Sequence, residues 1–112
     1  MGHVNNAVYL QWVQEAVVCY WRHISSIEMQ AELLWVALRH DIIYRLPVFL
    51  NDKVDALVTA TTSRGSRASF LTMLRRGDDI VAEVRSSWCC VDAVTLKPRR
   101  IAHDIAQRFL PG

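Results

Sequence analysis

Residues 6–23 contain the feature that most constrains this fold. The segment from Asn6 to His23 has the period of a helix, and its polar positions Gln11, Gln14, Glu15 and Arg22 recur at spacings of three, four and seven. They make one narrow stripe. The rest is apolar or aromatic: Val8, Leu10, Trp12, Val13, Ala16, Val17, Val18, Cys19, Tyr20 and Trp21, with Ile24 beyond. A second helix packed on one side hides too little of such a surface. A curved sheet wrapped around the helix hides more.

The remainder supplies that sheet. After a loop or short helix over residues 25–32, four strand-like segments follow. Residues 34–44 are apolar and rich in β-branched side chains, and Pro47 ends them. In 53–63, Val54, Ala56, Val58, Ala60 and Thr62 share a face. Arg64-Gly65-Ser66 is a turn. In 67–76, Ala68, Phe70, Thr72 and Leu74 share a face. Gly77-Asp78-Asp79 turns into 80–94, where Ile80, Ala82, Val84, Ser86, Trp88 and Cys90 align. An amphipathic tail over 102–110 closes the chain. Tight turns imply an antiparallel meander, so the expected class is α+β: a long central helix wrapped by a curved antiparallel sheet, one domain over 1–112.

Composition narrows the function classes. With 52% hydrophobic and 21% charged residues in 112, the chain is neither disordered nor fibrous. It contains no apolar run long enough for a membrane span, and residues 1–10 carry no secretory leader. Three cysteines, two adjacent, make a poor disulfide framework. A reduced, cytoplasmic protein is the expectation. Net charge is +2, which does not point to nucleic acid. The charge is uneven: residues 1–63 carry four Lys/Arg against six Asp/Glu, and residues 64–112 carry nine against five. Eleven of the thirteen basic residues are Arg, whose fork suits phosphates and carboxylates. His23, His40 and His103 have no metal-ligand spacing with one another or with the cysteines, so no metal is expected. Trp12, Trp21, Trp35 and Trp88 read as core or interface.

The sharpest local motif is Gly2-His3-Val4-Asn5-Asn6, followed by Tyr9-Leu10. It is a polar, Gly-led loop feeding a helix start, with Asn5 or Asn6 as N-cap. Free amide hydrogens and a partial positive charge suit a phosphate, a carboxylate or a developing oxyanion. His3 adds a titratable group. An ordinary capped helix with a loop histidine is the simpler reading of these residues taken alone.

This block, with Glu15-Ala16, resembles the signature of the hotdog-fold acyl-CoA thioesterases, the 4-hydroxybenzoyl-CoA and long-chain acyl-CoA group. Acyl-carrier-protein thioesterases carry a similar His-Val-Asn-Asn segment. Downstream, Ile43-Tyr44, Pro47 and Asn51-Asp52-Lys53-Val54 resemble the family's Y-x-x-P and D-x-V segment. Trp88 to Asp92 with Lys97-Pro98 resembles the end of its last strand. The resemblance implies a hotdog fold and hydrolysis of acyl-CoA or acyl-carrier-protein thioesters in a homodimer or homotetramer, with the acyl chain in a tunnel at a dimer interface. It implies no cofactor, coenzyme A being part of the substrate; the charge and the lack of a long apolar run leave neither nucleic acid nor membrane as an expected partner. His3, Asn5 and Asn6 become the expected catalytic residues. Gly2, Ala7, Val8 and Tyr9 become substrate contacts beside the helix-start amides. Ser63, Arg64, Ser66 and Arg67, around the first strand turn, become expected contacts for the nucleotide end. The family's acidic residue lies three positions before the motif's Gly, which here falls before Met1, together with the first strand. The expectation is therefore that a strand and an acid belong upstream. A non-catalytic acyl-CoA-binding module is the alternative.

Overall fold

The computed structural model describes residues 6–49, 51–101 and 107. Helix α1 spans Asn6–Ile24 and helix α2 spans Ile27–Glu32. Strands β1 (Leu33–Tyr44), β2 (Asp55–Arg64), β3 (Arg67–Arg76) and β4 (Asp79–Asp92) follow. Arg22 and His23 occupy the last turn of α1, where cations complement the helix dipole. Ser26 caps α2, its hydroxyl accepting from the Met29 N–H at 3.1 Å.

The strands form one antiparallel sheet in the order β1-β4-β3-β2. Strands β2, β3 and β4 are the expected meander. Each hairpin turns on a two-residue loop opened by a glycine at positive φ, Gly65 at 62° and Gly77 at 63°, where a Cβ is strained. Strand β1 departs from the meander: it pairs with β4 instead of β2, at the other edge. The connection over 45–54 spans the sheet end. It is fastened by Arg45 and Leu46 N–H donating to the Val81 carbonyl, and by the Arg45–Glu83 ion pair at 2.6 Å.

Three bulges set which side chains face α1. At Leu38 in β1 the phase switches, so Trp35 and Ala37, then His40 and Ile42, point inward. At Thr61 in β2 the same happens. Ala60 is buried opposite Phe70, while Thr62, expected on that face, is exposed opposite Ser69. The third is at Val81 in β4. Ala68, Phe70, Thr72 and Leu74 of β3, and Ala82, Val84, Ser86, Trp88 and Cys90 of β4, are all buried on the expected face.

Helix α1 buries Tyr9, Val13, Val17 and Trp21, one i, i+4 stripe, over β2 and β3. The circumferential cover expected from its composition is not reached within one chain. Ala7 and Cys19 are exposed, and Leu10, Trp12, Ala16 and Val18 are half-buried. A four-stranded open sheet curls around one side only. The amphipathic tail falls outside the described residues apart from the helical Gln107.

Thr72 is fully buried, and its hydroxyl has no partner among the described residues. Such a group carries its desolvation cost uncompensated. Thr72→Val keeps the shape and removes the cost, so it is expected to stabilise the fold by about 1 kcal/mol, read as a higher urea midpoint.

Candidate functional site

The start of α1 lies at the sheet end where Tyr44, Ala82, Leu74 and Ala56 form a cross-strand row. No acidic residue occupies the first turn, so the positive end of the helix is uncompensated by its own sequence. Tyr9 pins this end. Its ring meets Tyr44 edge-on at 5.1 Å and Trp12 at 5.5 Å, and the Val48 N–H bonds to its hydroxyl. Burial, then the neighbouring Tyr44, pushes the Tyr9 phenol above its ordinary pKa, so it stays protonated.

The loop under Tyr9 is itself clamped. Arg76 of β3 donates through Nη1 to the Pro47 carbonyl at 2.9 Å and to Asp52 Oδ2 at 3.0 Å. The same carboxylate oxygen accepts from the Phe49 N–H at 2.9 Å. These bonds, the Phe49 amide first and Arg76 next, hold Asp52 below its ordinary carboxylate value. It is an acid at the right end of the molecule, but ion-paired and weakly basic. A carboxyl with a depressed folded-state pKa contributes stability above its unfolded value of 3.8 and loses it as pH falls through the folded value. Part of the acid sensitivity between about pH 5 and pH 2 is therefore expected to vanish in Asp52→Asn, measured as urea midpoints across that range.

Of the expected site residues, Gly2, His3 and Asn5 lie outside the described residues, and Asn6 is described in backbone only. Ala7 is exposed on the first turn, Val8 is half-buried and Tyr9 is buried. Ser63, Arg64, Ser66 and Arg67 are brought together at the β2–β3 hairpin, but at the opposite end of the sheet. From the Ala56 row to Arg64 is eight residues, roughly 26 Å at ~3.3 Å per residue. Arg64 and Arg67 are exposed and have no carboxylate partner among the described residues. Ser66 is engaged structurally: its carbonyl accepts from the Cys90 N–H at 2.7 Å and its hydroxyl from the Cys89 thiol at 3.7 Å. Glu15 lies on the exposed helix face, accepting from Gln11 at 3.2 Å. Asp41 pairs with Arg39 at 3.1 Å on the outer sheet face.

Val48 was not singled out from sequence, and Arg76 was no more than one of several strand-end arginines. Tyr44 and Asp52 stood in motifs that carry the resemblance, but nothing in sequence joins Arg76 to Asp52 across 24 positions.

Residues 1–109 match the thioesterase-like superfamily, and the chain belongs to it. Thioester hydrolysis is the class of reaction that this membership supports. No curated protein matches the chain. Among solved structures, it is similar to a thioesterase of Thermus thermophilus crystallised with coenzyme A and zinc. That match has 23% identity, covers 96% of this chain and 79% of that one, and has a TM-score of 0.81. The dynemicin thioesterase is similar at 17% identity, with 99% and 87% covered and a TM-score of 0.83. So is a protein of Aquifex aeolicus at 20%, with 96% and 86% covered and a TM-score of 0.83. These likenesses establish the hotdog fold. Among the described residues no helix is long and apolar enough to cross a membrane.

Proposed function

We propose that this chain hydrolyses acyl thioesters of coenzyme A or acyl carrier protein, in the manner of the 4-hydroxybenzoyl-CoA and long-chain acyl-CoA group. The observation that carries the reading is the start of α1: no acid in its first turn, and a buried tyrosine fixing it to the sheet end. Amides near Asn6, Ala7 and Val8 polarise the thioester carbonyl and receive its charge as water adds. His3 and Asn5 orient the ester and the water.

The active unit is a homodimer joined through β1. Among the described residues this strand is an edge of the sheet, and Leu34, Val36 and Leu38 along it are 45–48% exposed. An apolar recess of about 390 Å³ opens beside it, lined by Val18, Trp21, Leu33, Trp35, Val36 and Leu96 among others. A second copy covers both. Antiparallel pairing of the two edges sets the helix start of one copy at the sheet end that carries the partner's hairpin. Arg64 and Arg67 then serve the nucleotide end of a substrate held by the other subunit.

The test is release of free thiol from a panel of acyl-CoA esters and an acyl-carrier-protein ester, from acetyl through long-chain to benzoyl. Turnover of at least one ester, abolished when the protein is heat-denatured, supports the proposal. Saturable binding of the panel with no hydrolysis establishes a binding module instead.

A further inference from the structure

Besides Thr72, a second side chain inside the sheet has no assigned partner among the described residues. His40 faces inward from β1 because the Leu38 bulge has switched the strand's phase. Both of its ring nitrogens are buried, and neither has a hydrogen-bond partner among the described residues. Its ring lies edge-on to Trp88 at 5.8 Å. Ser86, directly across on β4, does not bond to it; the Ser86 hydroxyl accepts from Trp88 Nε1 at 3.0 Å. Burial lowers the His40 pKa, so the imidazole is neutral and offers one donor and one acceptor. Leaving both unmade is costly.

The surroundings say what could use them. Helix α1 lies over β2 and β3. Its ring contacts with β1 fall at the two ends, Tyr9 on Tyr44 and Trp21 on Trp35. Between these aromatic pairs the inner face of β1 carries Ala37, His40 and Ile42, which are only half-buried. His40 is four residues from Tyr44, roughly 13 Å at ~3.3 Å per residue, measured from the end where α1 begins. Small and apolar side chains flank a single polar ring at that depth.

We infer that His40 is a specificity residue that hydrogen-bonds an oxygen, hydroxyl or carbonyl, carried by the acyl group far from its thioester. This rests on the thioesterase reading for the placement of the reacting carbonyl at the helix start. An acyl chain entering there and lying along β1 brings its distal carbons to His40. A plain hydrocarbon leaves the two nitrogens unpaired, whereas an oxygenated chain pairs one of them.

The experiment compares kcat/KM for ω-hydroxydecanoyl-CoA and decanoyl-CoA in the wild type, His40→Phe and His40→Gln. Calorimetric binding of the same two esters is the parallel readout. The wild type is expected to favour the hydroxylated ester about tenfold, the size of one hydrogen bond. His40→Phe, which keeps the ring edge on Trp88, brings the ratio to about one, and His40→Gln retains part of the preference. A wild-type ratio at or below one overturns the inference, and decides the matter even where the phenylalanine variant is unstable. An unchanged ratio in a folded His40→Phe also overturns it. Selective binding with no turnover of either ester keeps the role of His40 and removes hydrolysis.

Discussion

Val36→Lys combined with Leu38→Lys is expected to give a folded monomer whose thioester hydrolysis is lower by on the order of 10²-fold. Both side chains are nearly half exposed, at 46% and 48%, so the substitutions cost the single chain little. Their effect falls on the open edge. A lysine there must be desolvated if another strand pairs alongside, which is how natural edges are protected against association. The activity follows the assembly because the structure splits the expected site. The start of α1 is at one end of the sheet and Arg64 and Arg67 are at the other, so under the proposed function the two ends of the substrate fall to different subunits. Light scattering gives the mass, circular dichroism the fold, and thiol release the rate. A variant that stays dimeric, or a monomer with wild-type turnover, removes the β1 interface from the proposal.

The strands, the hairpins and most of the buried face were legible because their signals are local. Alternation over 67–76 and 80–90, with a glycine in each two-residue turn, dictates β3 and β4 without reference to anything else. Helix α1 was legible from its period. Partner choice and phase were not. Nothing within residues 33–44 says that β1 joins β4 rather than β2; that depends on where the 45–54 connection is fastened, which involves Val81 and Glu83. The bulges at Leu38 and Thr61 are single-residue slips with no local marker, yet they decide that His40 faces inward and Thr62 outward. The same limit hid the clamp beneath the site. Asp52 reads as part of a loop motif and Arg76 as a strand-end charge, and only the fold brings them to 3.0 Å.

Tyr9 is where that fold and the proposed chemistry meet, and Tyr9→Ala is expected to cost about 3–5 kcal/mol. The side chain is 3% exposed and its ring bears on both Tyr44 and Trp12. Removing it opens a cavity at the sheet end that the clamped 45–52 loop cannot collapse to fill. Against a typical total of roughly 5–15 kcal/mol, that loss leaves a marginal domain. Tyr9→Phe separates the two roles. It keeps both ring contacts and gives up only the bond from the Val48 N–H, a loss of about 1 kcal/mol. The helix start then loses its polar tie to the loop that Arg76 and Asp52 hold in place. Because the amides at that start are proposed to act on the developing oxyanion, small misplacement lowers kcat more than it raises KM. The expected pattern is a Tyr9→Phe protein with nearly wild-type melting and KM but a kcat reduced several-fold, beside a Tyr9→Ala protein that is partly unfolded at about 37 °C. Equal kcat in the wild type and Tyr9→Phe would show that Tyr9 supports the core alone.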